Sequence, residues 1–353
     1  MTMHEDELDL PHDVAVRLLV ALLPGVSPED VHRVESTATT SHIVRIGSGL
    51  TARFPIVRTD PGDARTAIEA EHRAMAEFAA ASPLPAPEPV AIGEPDPEFP
   101  MPWSVQTWVP GDVADADSVA SSDAAAEDLA ELLATLHATP TQGRRFTGLG
   151  RGGDLAAHDD WVQQCLERTH ELLEETETPG HAGHISAADL DELAARWSRW
   201  RSLDRSGPDV MCHRDLTPMN MLCADGLLTG VLDTGGFCPA DPSVDLVPAW
   251  HLLDGPRRAL LREHLGSSDL EWERGAAWAF EQAIGLVWYY DTSNPPMAAL
   301  GRSTVRRLVE DPIGSARLPG WTTGMASSSA TTTTPPLGGP HARRPRRTAR
   351  RGS

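Results

Sequence analysis

The run His213-Arg214-Asp215-Leu216-Thr217-Pro218-Met219-Asn220, followed by Val231-Leu232-Asp233-Thr234-Gly235, spaces two carboxylates and an amide as phosphoryl transfer would require. Asp215 could accept the proton of an attacking hydroxyl, while the Asn220 amide oxygen and the Asp233 carboxylate could hold a magnesium ion that bridges nucleotide phosphates. Each residue alone reads equally well as a turn former, but the compound pattern HRD-x4-N with a second aspartate thirteen residues on seldom arises by chance.

The flanking residues supply the elements that must position these groups. Val210-Met211-Cys212 is an apolar lead-in, and residues 221–223 and 228–232 read as two short strands around the turn Ala224-Asp225-Gly226. Such a hairpin returns Asp233 to the neighbourhood of Asn220. Upstream, residues 12–23 have the apolar spacing of an amphipathic helix ended by Pro24-Gly25. Strands follow at 31–35, 42–46 and 50–54, then a helix at 64–81. Proline-rich residues 83–89 must be extended and lead into strands at 90–92 and 103–109. Beyond Pro110-Gly111 the chain reads as helical at 124–139, 159–175, 187–203, 247–253, 257–265, 272–289 and 296–309, with the hairpin interrupting it. The expected division is a small β-rich lobe at 1–108 and a mostly helical lobe at 109–317 that the hairpin interrupts. A disordered tail at 318–353, rich in Ser, Thr and Pro and then in Arg, completes the chain.

Formal net charge is −21 with a pI near 5.0, which speaks against nucleic-acid binding by the core. Six arginines and no acid fall in residues 322–353, so the remainder is near −27, a field that would draw cationic substrates if it did more than keep the chain soluble. All thirty basic residues are arginines; there is no lysine. Cys165, Cys212, Cys223 and Cys238 show no CxxC spacing and no histidines at zinc intervals, and read as thiols of a reducing compartment. The acidic first seven residues lack the features of a signal peptide, and no apolar run reaches the ~20 residues of a spanning helix. A cytoplasmic protein with no membrane partner is expected.

These residues resemble the catalytic core shared by protein kinases and the aminoglycoside/macrolide phosphotransferase family. The small-molecule family is the nearer likeness, because Asp241-Pro242-Ser243-Val244-Asp245-Leu246 follows where protein kinases carry other signatures. Glu69-Ala70-Glu71-His72-Arg73, Leu84 to Pro89, Pro102 to Gly111, Arg151-Gly152-Gly153 and Asp291 to Pro295 extend the likeness over residues 12–312. It implies an α+β, bilobal, protein-kinase-like fold with a small β-rich N-lobe, residues 1–108, that binds the nucleotide, and a larger, mostly helical C-lobe, residues 109–317, that carries the catalytic loop and acceptor site. It also implies Asp215 as catalytic base and Asn220 and Asp233 as magnesium ligands. Arg53 would grip the nucleotide phosphates in place of the usual lysine, ion-paired to Glu71 with Glu69 as the alternative, and Ser36 and Thr37 would belong to the phosphate-covering loop. Backbone groups near Gln106 to Val109 would meet the base of ATP or GTP; Trp103 and Trp108 could sandwich it, although tryptophans beside a strand are more often core. Asp241 and Asp245 would brace the catalytic loop, and His213 would be structural.

Arg214, Thr217, Met219 and Thr234 depart from the family pattern, as do Thr37 and Ala38 where glycines are common. The implied reaction moves the γ-phosphate of a nucleoside triphosphate to a hydroxyl of a small molecule, with an aminoglycoside- or macrolide-type antibiotic as the acceptor the resemblance suggests. Asp159, Asp160, Glu281 and Asp291 are candidates to hold ammonium groups, and Trp250, Trp278, Trp288, Tyr289 and Tyr290 to flank an apolar acceptor, although at helical spacing such aromatics are usually core. The departures motivate an alternative: a kinase-fold binding or regulatory protein with weak or no catalysis.

Overall fold

The computed structural model describes residues 8–34, 41–148, 150–175 and 185–313. Strand alternation builds the small lobe. In β3 (Leu50–Pro55), Ala52 and Phe54 are fully buried and Arg53 points to the opposite face. With β1 (Val31–Arg33), β2 (Ser41–Ile46), β4 (Pro89–Gly93) and β5 (Trp103–Thr107) it forms an antiparallel sheet in the order β1-β2-β3-β5-β4. Helix α1 (His12–Leu22) lays Val14, Ala15, Leu18 and Leu19 on the buried face, joining Phe54, Phe99 and Trp103 in one apolar cluster. Trp103 stacks on Phe54 at 4.6 Å and packs over Gly93, its cross-strand partner, where a Cβ would lie 1.9 Å from the indole.

Helix α2 (Pro61–Ala81) begins three residues before residue 64, where its start is expected, because Asp60 caps it by accepting from the Gly62 and Asp63 N–H groups and Pro61 fits the first turn. Its Phe78 belongs to the larger core, meeting His213 and Phe237 edge-on. That core is built by α3 (Asp123–His137), α4 (Asp159–Glu175), α5 (Ala187–Trp200), α6 (Pro248–Leu252), α7 (Gly255–Leu265), α8 (Asp269–Tyr289) and α9 (Pro295–Glu310). Helix α8 is buried almost all round, from Trp272 to Val287, and packs against α9.

Two small sheets interrupt the helices. Strands β8 (Met221–Ala224) and β9 (Leu227–Val231) close through Asp225-Gly226, both at positive φ, the geometry of a two-residue hairpin turn matched to strand twist. Strand β6 (Asp112–Val113) adds to β8, and β7 (Val210–Cys212) pairs with β10 (Cys238–Ala240). Neither β6 nor β10 is foreseen from the sequence; at two and three residues they carry too little alternation to read. The result is an α+β chain with a small β-rich lobe and a larger helical one. No helix among the described residues is long and apolar enough to cross a membrane.

Candidate active site

The hairpin does what its length suggests: the Leu232 N–H donates to the Asn220 carbonyl at 2.7 Å, closing the loop beside Asp233. Asn220 Nδ2 donates to the Asp215 carbonyl at 2.9 Å and to its Oδ2 at 3.1 Å. Asp215 and Asp233 line one cavity of about 370 Å³ together with Glu71, Arg151, His213 and Arg214. Both carboxylates remain open to solvent, with side chains 44% and 49% exposed. Because the Asn220 nitrogen is used on Asp215, its amide oxygen is the atom left for a cation. With the Asp233 carboxylate this is a set of hard oxygen donors of the kind magnesium takes.

The loop carrying Asp215 is held from beneath. Arg214 sits at φ +73, a strained value for a bulky residue. The buried Asp245 carboxylate accepts the His213 N–H at 2.9 Å and the Arg214 N–H at 2.7 Å, fixing that turn. His213 borders the cavity but is buried, with Nε2 on the Leu232 carbonyl at 2.9 Å and Nδ1 accepting the Asp215 N–H at 3.3 Å, so both ring nitrogens are spent on tying the loop to the hairpin. Asp241 is buried against Arg274, whose Nη2 lies 2.7 Å away, and accepts the Ser243 N–H and hydroxyl.

Arg53 reaches the cleft from β3, but its partner differs from the one expected. Nη1 donates to Asp233 Oδ1 at 3.0 Å, because the arginine extends across the cleft to the hairpin corner. Glu71, on α2, borders the same cavity without a hydrogen bond to Arg53. Lost hydration raises its carboxyl, the Arg53 charge opposes that rise and Asp233 adds to it. Glu69 is taken by Arg65, one helical turn away at 3.1 Å. Ser36 and Thr37 lie outside the described residues. Gln106 is buried on the same sheet face as Arg53, and its Oε1 has no hydrogen-bond partner among the described residues. Trp108 donates its backbone N–H to the Gly49 carbonyl, and Arg45 covers its ring at 4.2 Å. Trp103 is core, so a two-tryptophan sandwich for a base does not form.

On the helical side, Arg151 Nη1 approaches Asp215 Oδ1 at 3.5 Å while its Nε is held by Glu281 at 2.7 Å. Burial opposes the Arg151 charge, but Glu281 and then Asp215 outweigh it and raise its pKa. Burial would likewise raise Glu281; Arg151 and His158 hold it below the usual carboxylate range. Glu281 is therefore spent inside the protein. Asp159 is engaged by Trp197 and Arg201, and Asp291 by Arg302, leaving Asp160 exposed. Trp250 and Trp278 are buried core, Trp288 is partly buried against that core, and Tyr289 is exposed. Gln282 donates to Asp215 Oδ1 at 2.8 Å from 67 residues away, a contact for which the sequence holds no local signal.

A model of the phosphotransferase enzyme family (APH) matches residues 21–278. No curated protein matches the chain in sequence. Among solved structures, the GDP complex of wild-type aminoglycoside 2'-phosphotransferase-IIIa is similar at 16% identity and a TM-score of 0.58, over 85% of this chain and 99% of that one. The GDP and kanamycin complex of APH(2")-IIia gives 16% and 0.56, over 83% and 97%. The apoenzyme of macrolide 2'-phosphotransferase MphH from Brachybacterium faecium gives 18% and 0.53, over 83% and 98%. At such identities the likeness is one of fold, the bilobal kinase-like arrangement described above. Because the family model spans well over half of its length, the chain belongs to the phosphotransferase enzyme family.

Proposed function

We propose that the protein transfers the γ-phosphoryl group of a nucleoside triphosphate, ATP or GTP, to a hydroxyl of a small molecule. The observation that carries this reading is the convergence of Asp215, Asn220 and Asp233 on one side of the hairpin, with Arg53 reaching the same corner. Asp215 orients the acceptor hydroxyl and takes its proton late in a loose transition state. Asn220 and Asp233 would hold magnesium, which when bound neutralises charge on the phosphate oxygens. Arg53 offers the phosphates a planar cation, with Glu71 nearby to balance its charge. Ser36 and Thr37 would cover the phosphates from the segment before β2. Gln106, with an unmatched amide oxygen, and the backbone around Trp108 would meet the base. On this reading residues 1–108 hold the nucleotide, 109–317 carry the catalytic loop and the acceptor, and 318–353 are an accessory tail.

Antibiotic-type acceptors are supported by the aminoglycoside and macrolide enzymes that share the fold. A coupled ADP- or GDP-release screen over aminoglycosides, macrolides, choline-like alcohols and sugars identifies the acceptor. Asp215→Asn is expected to keep nucleotide binding, read as a thermal shift with Mg·ATP or Mg·GTP, while turnover falls about a hundredfold or more. Turnover close to that of the unmodified protein would refute Asp215 as the base. A chain that no nucleotide stabilises would instead be a binding or regulatory member of the fold.

A further inference from the structure

Beneath Asp215 a polar chain runs into the interior of the helical lobe. Gln282 on α8 gives its Nε2 to Asp215 Oδ1 at 2.8 Å, and its Oε1 lies 3.0 Å from His251 Nε2 on α6. His251 Nδ1 lies 2.7 Å from the Thr304 hydroxyl on α9. His251 and Thr304 are fully buried and Gln282 nearly so. Each link dictates the next. An ionised carboxylate only accepts, so Gln282 must present its amide nitrogen to Asp215. The amide oxygen, which also only accepts, then faces His251 and requires a proton on Nε2. Burial pushes the imidazole down to about 4 against the Gln282 hydrogen bond, which raises it, and the Arg307 and Arg151 charges add smaller downward pushes, so the ring is neutral at pH 7. Nδ1 is then an acceptor for a hydrogen bond donated by the Thr304 hydroxyl, for which the Leu300 carbonyl at 2.9 Å competes.

Asp215 is thus gripped at both oxygens, by Asn220 on Oδ2 and by Gln282 on Oδ1, with Arg151 farther off on Oδ1. Oδ2, with Asn220 alone on it, keeps a lone pair for an incoming hydroxyl. We propose that Gln282 is the positioning residue for the Asp215 carboxylate, and that His251, as its Nε2–H tautomer backed by Thr304, fixes which way round the Gln282 amide sits. The inference rests on the reading of Asp215 as the base. Its physical content is that a carboxylate free to rotate wastes the alignment that proton transfer needs.

The test follows Mg·ATP and Mg·GTP turnover, with water and with the acceptor panel, in Gln282→Leu, His251→Phe and the double variant. Gln282→Leu is expected to lower kcat roughly tenfold to a hundredfold while nucleotide KM and the nucleotide-induced thermal shift stay as in the parent. His251→Phe should lower kcat as well. The double variant should lose no more than Gln282→Leu, because the histidine acts only through the glutamine. Unchanged kcat in Gln282→Leu, or losses that add, overturn the proposal. If the parent turns over neither nucleotide, it is the phosphotransfer reading that fails, and the nitrogen-15 shifts of the His251 ring at pH 7 still decide the inference. An Nε2–H ring whose tautomer balance moves in Gln282→Leu supports it; an Nδ1–H ring or an imidazolium overturns it.

Discussion

Asp233 stands at a sharp corner, with φ +53 and a carboxylate that Arg53 meets at 3.0 Å. Asp is among the few side chains that tolerate this left-handed conformation, so the corner and the chemistry ask for the same residue. On the proposed reading the Arg53–Asp233 contact sets the phosphate-binding cation beside the metal ligand, so losing the guanidinium should be felt by the nucleotide more than by the acceptor. Arg53→Ala is expected to raise the nucleotide Kd about tenfold or more, since a charge-assisted bond to phosphate is lost. Calorimetric titration with Mg·ATP or Mg·GTP reads this directly, and an unchanged Kd would remove Arg53 from the site. The meeting of Asp215, Asn220 and Asp233 was legible because all three flank one short hairpin, and local spacing decides whether they come together. The pairing of Arg53 was not, since the choice between Glu71 and Asp233 depends on how the sheet, α2 and the hairpin dock.

The secondary elements follow the sequence closely where a periodic face is long. Helix α4 spans the residues its pattern suggests, and α2, α3, α8 and α9 differ only in their caps. What stayed hidden were the pieces too short to be periodic, β6 and β10, and the assignment of Trp103 to core or ligand face. That assignment depends on Gly93, whose missing side chain makes the floor on which the indole lies. Gly93→Ala therefore drives a methyl into the ring. It should destabilise the fold by roughly 1–3 kcal/mol, as overpacking of a filled core does. Urea unfolding measures the loss, and an unaltered midpoint would mean the stacked tryptophan moves freely. The same alternation that buries Ala52 and Phe54 turns Arg53 and its face-mate Gln106 to the opposite side of the sheet, so a packing error in β4 should also weaken nucleotide binding.

Across the whole molecule, acidity on the outside contrasts with a histidine kept uncharged within. Burial lowers the folded-state pKa of His251 to about 4 from its ordinary 6.5. Between those values the unfolded chain takes up a proton that the folded chain refuses, so stability falls as pH drops from 6.5 toward 4 and levels off below. The span corresponds to about 3 kcal/mol. Denaturant midpoints measured from pH 7 to pH 4 should fall less steeply for His251→Phe than for the parent, and parallel curves would show that the ring is protonated in the folded state. Neither the burial of His251 nor its link to Gln282 could be read from the sequence, because α6, α8 and α9 meet only in three dimensions.

The all-arginine composition has a practical consequence at the cleft. Acylating nucleotide reagents, which label enzymes by capturing a primary amine beside the phosphates, find no side-chain amine at Arg53 or anywhere else in the chain. Treatment with an amine-directed ester should leave turnover intact, whereas a vicinal dicarbonyl should inactivate the protein and bound nucleotide should protect it. In a mixed extract surveyed by amine-capturing probes, an active enzyme of this kind would go uncounted.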